Sequence, residues 1–178
     1  MSELQDQPEI KPEFKRKAVR SYVIRGGRMT EGQKAAFQRY WQQYGLSLFA
    51  GEFDKSAVFG RSAPLVVEVG FGMGDSLLAM SRDEQDKDFL GIEVHPPGVG
   101  RLINLAGKEE VNNLRVYMAD AVDVLNDCIA DESVDRFQLY FPDPWHKKKH
   151  HKRRIVQPEF VQLICRKLKP GALLHFAT

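Results

Sequence analysis

The feature that most limits the fold is a β-branched run that breaks into spaced glycines. Leu65-Val-Val-Glu-Val69 is short and β-branched, and it reads as a buried strand. Gly70, Gly72 and Gly74 follow it, and the helical stretch Asp75–Arg82 follows them. A strand that turns through glycines into a helix opens a βαβ unit. Such a unit commits the chain to a parallel sheet with helices packed on it.

The rest of the chain repeats that alternation. Phe89–Val94, Arg115–Met118, Phe137–Phe141 and Ala172–Ala177 read as four further strands. Between them, Val99, Leu102, Ile103 and Ala106 mark one helix face, and Val122, Leu125 and Ile129 mark another. Pro158 suits the first turn of a third helix, with Val161, Ile164, Cys165 and Leu168 on one side. Pro170-Gly171 is expected to stop it. The predicted fold class is therefore α/β, a mainly parallel Rossmann-like sheet with helices on both faces. No internal repeat is visible.

Ahead of the first strand, Thr30-Glu-Gly-Gln33 fits a capping box. Phe37, Tyr40, Trp41 and Tyr44 then recur at helical spacing, as a core face rather than a base-stacking stripe. Residues 1–28 are polar and Pro-broken, acidic first (Glu3, Asp6, Glu9) and then basic (Lys11, Lys15, Arg16, Lys17, Arg20). They read as a flexible basic N-terminal tail, either solvated or a second contact for a polyanion. Residues 29–178 form the Rossmann-like domain.

Composition narrows the class. At 178 residues and 43% hydrophobic, the chain supports one domain with a real core. Its two cysteines, Cys128 and Cys165, fit neither a disulfide framework nor a zinc ribbon. With no apolar run of membrane length and no signal-like N-terminus, the expected location is cytoplasmic, with no membrane partner. The net charge is only +2, but it conceals a local imbalance. His146–Arg154 (HKKKHHKRR) carries six of the 26 Lys and Arg residues and no acid, so the rest of the chain is net acidic. A basic block on an acidic body fits phosphate contacts. A metal role for His146, His150 and His151 is not expected, because the neighbouring cations oppose a second positive centre.

The candidate chemistry clusters at strand ends. Gly70 permits a tight turn, and Gly72 lets backbone approach a ligand. Glu93 ends the second strand about 20 residues on, where doubly wound folds place a carboxylate for ribose hydroxyls. Glu68, Asp75, Glu93 and Asp120 are all acids near that turn, an arrangement that repels a pyrophosphate and suits a cationic cofactor such as a sulfonium. Asp120 is placed near an adenine edge, as an N-cap, or as both. Phe141-Pro-Asp-Pro-Trp145 leaves the fourth strand with Asp143 held between prolines and Trp145 offering a stacking face.

The segments EVGFGMG, GIEVHPPGVG and FPDPWHKKKHHKRR together closely resemble the bacterial tRNA (guanine-N7-)-methyltransferase family. The resemblance covers roughly residues 25–178, and the Pro-Asp-Pro-Trp stretch with its basic block is its most specific part. It implies a class I methyltransferase fold with strand order 3-2-1-4-5, S-adenosyl-L-methionine as cofactor, and methylation of guanine N7 in the tRNA variable loop. By motif it implies that Glu68, Gly70, Glu93, Asp120 and Asp143 bind the cofactor, with Asp143 the catalytic acid. It implies Lys147 as a substrate contact and Lys149, His150, His151, Lys152, Arg153 and Arg154 as the RNA contacts. Family members continue beyond HFAT with an acidic residue and a later Thr/Glu-bearing motif, whereas this sequence stops at Thr178. The resemblance thus implies a C-terminally truncated chain whose last strands are missing. A full-length monomer is expected, with self-association of the short chain through Ala172–Ala177. Two other classes remain open to the sequence. One is a non-catalytic tRNA-binding fragment and the other a dinucleotide-dependent oxidoreductase.

Overall fold

Helix α1 (Glu31–Tyr44) begins where its capping residues place it. Thr30 Oγ1 accepts the Gln33 amide at 3.2 Å, and Gln33 Oε1 accepts the Thr30 amide at 2.8 Å. In the computed structural model, residues 10–15, 21–22 and 29–178 are described. After α1 come β1 (Gly45–Leu46), a short 3-10 turn, α2 (Lys55–Phe59), β2 (Leu65–Val69), α3 (Asp75–Asp83) and β3 (Asp88–Glu93). Then follow α4 (Pro96–Lys108), β4 (Leu114–Met118), α5 (Ala121–Asp127) and β5 (Val134–Tyr140). A second 3-10 turn (Lys148–Arg153), α6 (Pro158–Lys167) and β6 (Leu168–Ala177) complete the order.

The strands form one parallel sheet in the order β1-β4-β3-β2-β5-β6. The five strands read from the sequence take the expected order, and the two-residue β1 extends the sheet beside β4. Because β2 sits in the middle, all five of its residues are buried. The strands beyond it on one side are added in chain order, β3 then β4; the chain then returns to lay β5 against the other side of β2. That reversal between β2 and β5 opens a crevice at their carboxyl ends, where a ligand has room to enter.

Side-chain alternation along the strands builds two cores. Leu65, Val67, Val69, Ile92, Phe137 and Leu139 face α5 and α6, whereas Val66, Phe89, Val116 and Met118 face α1, α3 and α4. Each fully buried Leu or Phe contributes about 1.5–3 kcal/mol. The aromatic face of α1 belongs to the second core: Phe37 and Tyr44 are buried, with Tyr40 and Trp41 packed against them.

Two sequence expectations shift. On α6 the buried residues are Phe160, Leu163, Ile164 and Lys167, while Cys165 is exposed. The apolar face is therefore rotated from the one read off Val161 and Cys165, because Phe160 packs on Phe137 with ring centroids 6.4 Å apart. Pro170-Gly171 does not separate helix from strand either. β6 already starts at Leu168 and passes through both residues with an irregular register against β5.

The described part of residues 1–28 is bonded to the domain. Glu13 forms a parallel bridge with Ala119, its amide donating to the Met118 carbonyl at 2.8 Å. Its carboxylate accepts from Ser47 Oγ at 3.0 Å and from the Leu48 amide. The Lys15 amide donates to Asp123 at 2.8 Å. The reading of a flexible tail otherwise falls on residues 1–9, 16–20 and 23–28, outside the described residues. Among the described residues, no helix is long and apolar enough to cross a membrane.

Candidate active site

The glycine turn after β2 has a backbone that other residues resist. Gly70, Gly72 and Gly74 have φ of 72°, 58° and 81°, the left-handed region where a Cβ clashes. The turn is also crowded from outside: a Cβ on Gly98, in the first turn of α4, would lie 2.0 Å from the Gly72 carbonyl oxygen. Both requirements arise from one arrangement, in which α4 starts against the turn. Glu93 fastens it. Its Oε2 accepts the Gly72 amide at 2.8 Å, and its Oε1 accepts the amides of Val94 at 2.7 Å and His95 at 3.1 Å.

A cavity of about 360 Å³ opens at these strand ends. Val69 and Gly70 from β2, Ile92 and Glu93 from β3, and Leu139 and Tyr140 from β5 form its floor, and Asp143 stands at its rim. Among the described residues, its wall carries the carboxylates Glu93 and Asp143 and no Lys or Arg. A second cavity of about 440 Å³ adjoins it, sharing Phe141, Pro142, Asp143 and Ile155, with Arg154, Val156 and Thr178 on its far side. Asp143 is thus at the junction of two spaces. It is exposed, and among the described residues it accepts no hydrogen bond.

Not every acid from the sequence reading reaches the cavity. Gly70, Glu93 and Asp143 line it; Glu68 and Asp120 do not. Glu68 alternates with Val67 and Val69, so it shares the face of Val66 and is only 3% exposed. Its Oε2 is buried without a partner among the described residues, and burial pushes its pKa up to about 7, with Arg136 pulling the other way. Asp120 caps α5 through Oδ1, which accepts the Val122 amide at 2.8 Å, and it lines the groove beside α6. Its other oxygen accepts the Tyr22 hydroxyl at 3.0 Å.

Ser21 and Tyr22 are wall residues that the sequence reading missed. No local pattern marks them, since their partners are remote. Tyr22 reaches Asp120, and the Ser21 carbonyl accepts Trp145 Nε1 at 2.8 Å. Trp145 is consequently occupied. Arg153 lies over its ring at 5.1 Å, and His150 meets it edge-on at 5.5 Å. The half-buried ring thus has Arg153 over it and His150 at its edge.

The basic block forms the 3-10 turn beside this site. Lys147, Lys149, Lys152 and Arg154 are exposed, whereas His150, His151 and Arg153 are half-buried. Arg154 Nε donates to the Pro144 carbonyl at 2.9 Å, pinning the block to the proline turn. His150 has its pKa lowered by desolvation and by Lys149, Arg153 and Lys147. Among the described residues, no three His, Cys, Asp or Glu side chains are grouped to hold a metal ion.

Known proteins match this arrangement. The family model described as "Putative methyltransferase" matches residues 62–178. A tRNA (guanine-N(7)-)-methyltransferase of Saccharophagus degradans is 68% identical over 169 residues, covering 95% of this chain and 74% of that protein. One of Stutzerimonas stutzeri is 51% identical over 178 residues, covering 100% of this chain and 75% of that protein. The chain therefore spans about three quarters of the length of these relatives. A 30S ribosomal methyltransferase from an uncultured bacterium shares the fold with a TM-score of 0.53 at 17% identity, over 70% of this chain and 60% of that one. A Haemonchus contortus N-methyltransferase solved with S-adenosylhomocysteine gives 0.51 at 15% identity, over 80% of this chain and 31% of that one. With the fold, the glycine turn and the sequence identity in agreement, the chain belongs to the tRNA (guanine-N(7)-)-methyltransferase family.

Proposed function

We propose that the two adjoining cavities are the cofactor and base sites of a tRNA guanine-N7 methyltransferase, with Asp143 between them. The observation that carries this reading is the junction itself: one exposed carboxylate, set by flanking prolines, faces both spaces. The first cavity fits S-adenosylmethionine. Its glycine turn leaves backbone open to a ligand, Glu93 stands at the ribose position, and no cation on the wall opposes a sulfonium. A dinucleotide pyrophosphate lacks a positive partner there.

Bound in that cavity, S-adenosylmethionine supplies a methyl group activated by its sulfonium. The residues of this chain then have two tasks. Guanine N7 carries a free lone pair, so no side chain has to remove a proton, and alignment is worth up to about 7–11 kcal/mol. Asp143 holds the base and sets a negative charge beside a purine that becomes cationic. Glu93, which accepts the Gly72 amide of the turn and the Val94 and His95 amides that follow β3, keeps the cavity floor in place. In A-form RNA, N7 lies in a deep narrow groove, so the target guanine is read from a loop or splayed out. Lys147, Lys149, His150, His151, Lys152, Arg153 and Arg154 form the surface that meets its phosphates.

Mass spectrometry of nucleosides from tRNA incubated with the protein and labelled S-adenosylmethionine tests the reading. The expected product is labelled 7-methylguanosine. Label in another nucleoside, or none in tRNA, overturns it.

A further inference from the structure

Phe141 combines two properties that rarely occur together. Its φ is +46°, a left-handed backbone that a bulky side chain avoids, and it is 76% exposed. Continuing the alternation of β5 would carry it to the buried face of Phe137 and Leu139. Instead the chain bends at Phe141 while its amide still donates to the Ala177 carbonyl at 2.8 Å, so the sheet bond is kept. The ring is left at the boundary of the two cavities and lines both, beside Asp143. The turn ends in the same way, with Trp145 at φ +44°, but that ring is half-buried against Arg153 and His150 and lines neither cavity. The exposed aromatic face at the junction is therefore that of Phe141.

We propose that Phe141 is the stacking platform for the guanine that accepts the methyl group, a substrate-binding residue that orients the base over Asp143. This rests on the reading of the site as a guanine-N7 methyltransferase. A splayed base loses its neighbours in the RNA stack, and an aromatic face replaces them. The strained backbone is what brings the ring out of the core to do so.

Three variants test it: Phe141→Tyr, Phe141→Leu and Phe141→Gly. Each is assayed for methyl transfer to tRNA, for S-adenosylhomocysteine affinity by calorimetry, and for Tm. Phe141→Tyr keeps a π face and should transfer within about 2-fold of wild type. Phe141→Leu keeps apolar bulk without that face and should lower kcat/KM by roughly 10- to 100-fold. Phe141→Gly should lower transfer at least as far while Tm holds or rises, since glycine accepts the left-handed backbone freely. Because the ring also borders the cofactor cavity, cofactor affinity should fall by much less than kcat/KM in the Leu and Gly variants. Equal transfer by the Leu and Tyr variants overturns the platform. A joint fall of Tm, cofactor affinity and transfer in the Leu and Gly variants also overturns it, by making the ring a structural plug. A wild-type protein that methylates no tRNA overturns the reading of the site, and the platform with it.

Discussion

Gly72 donates its amide to Glu93 Oε2 across 2.8 Å, joining the turn after β2 to the acid that ends β3. The same carboxylate holds the amides of Val94 and His95. The acid proposed for the ribose hydroxyls is thus also the clasp of the glycine turn. Glu93→Ala should weaken S-adenosylmethionine binding by about ten- to a hundredfold, as hydrogen bonds to a charged group are worth about 1.5–3 kcal/mol. Because the clasp is lost as well, Tm should fall in the absence of any ligand. Calorimetry together with a melting curve checks both; a Tm equal to wild type would leave Glu93 with a ligand role only.

Glu68 should make stability depend on pH. Its folded pKa, about 7, lies above the ordinary value of 4.5 because the carboxyl is buried. Folding therefore favours the protonated form. The contribution is complete below about pH 4.5 and is lost as pH rises through about 7, with an order of magnitude of ~3 kcal/mol. Gln138, its register partner on β5, also has a buried Oε1 without a partner among the described residues. Glu68→Gln should flatten the fall of Tm between pH 5.5 and 8. Parallel curves for variant and wild type would show that Glu68 does not titrate in that range.

The basic block divides into cations that reach solvent and cations that hold the fold. Arg153 covers Trp145 and Arg154 is bonded to Pro144, so removing either disturbs the proline turn. Neutralising the exposed Lys147, Lys149 and Lys152 isolates the electrostatic effect. The log–log slope of tRNA affinity against salt should lose about 0.9 per phosphate contact, up to three contacts. Cofactor affinity should not change. An unaltered slope would make these lysines a solvated face.

Asp143→Ala should act in the opposite sense, lowering methyl transfer far more than tRNA affinity. A charge that stabilises the cationic product is worth a few kcal/mol, or about 10²–10³ in kcat. Single-turnover transfer compared with a tRNA binding isotherm separates the two. Equal losses in both would make Asp143 a binding residue alone.

Tyr22 and Trp145 should show the effect of the N-terminal segment on the cavity proposed for the cofactor. Tyr22→Phe removes the donor to Asp120, and Trp145→Phe removes the donor to the Ser21 carbonyl. Each lost bond is worth about 1 kcal/mol, so S-adenosylhomocysteine affinity should fall roughly fivefold per variant. Titration calorimetry on the two variants is the check. Unchanged affinity would mean that this wall forms without those bonds.

Several local signals in the sequence carry over into the structure because each acts over a few residues, although the face of α6 and the role of Pro170-Gly171 do not. The Thr30 capping box, the β-branched run of β2, the glycine turn and the prolines around Asp143 all have meanings set by neighbouring backbone. Together they determine the parallel sheet and the position of Glu93, whereas the strand order beside β2 is what the family resemblance implies. What tertiary structure alone decided lies across long separations. Tyr22 finds Asp120 and Ser21 finds Trp145 over 98 and 124 residues. β1 is only two residues long and exists because β4 pairs with it. Glu68 and Glu93 look alike in sequence, yet alternation buries Glu68 against the α3 side and leaves Glu93 on the cavity wall. Phe141 reads as the end of a core strand until its backbone turns left-handed. A linear pattern carries the alternation, but which alternate face the helices cover and which strand end opens into the cavity is set by the remote elements that pack there.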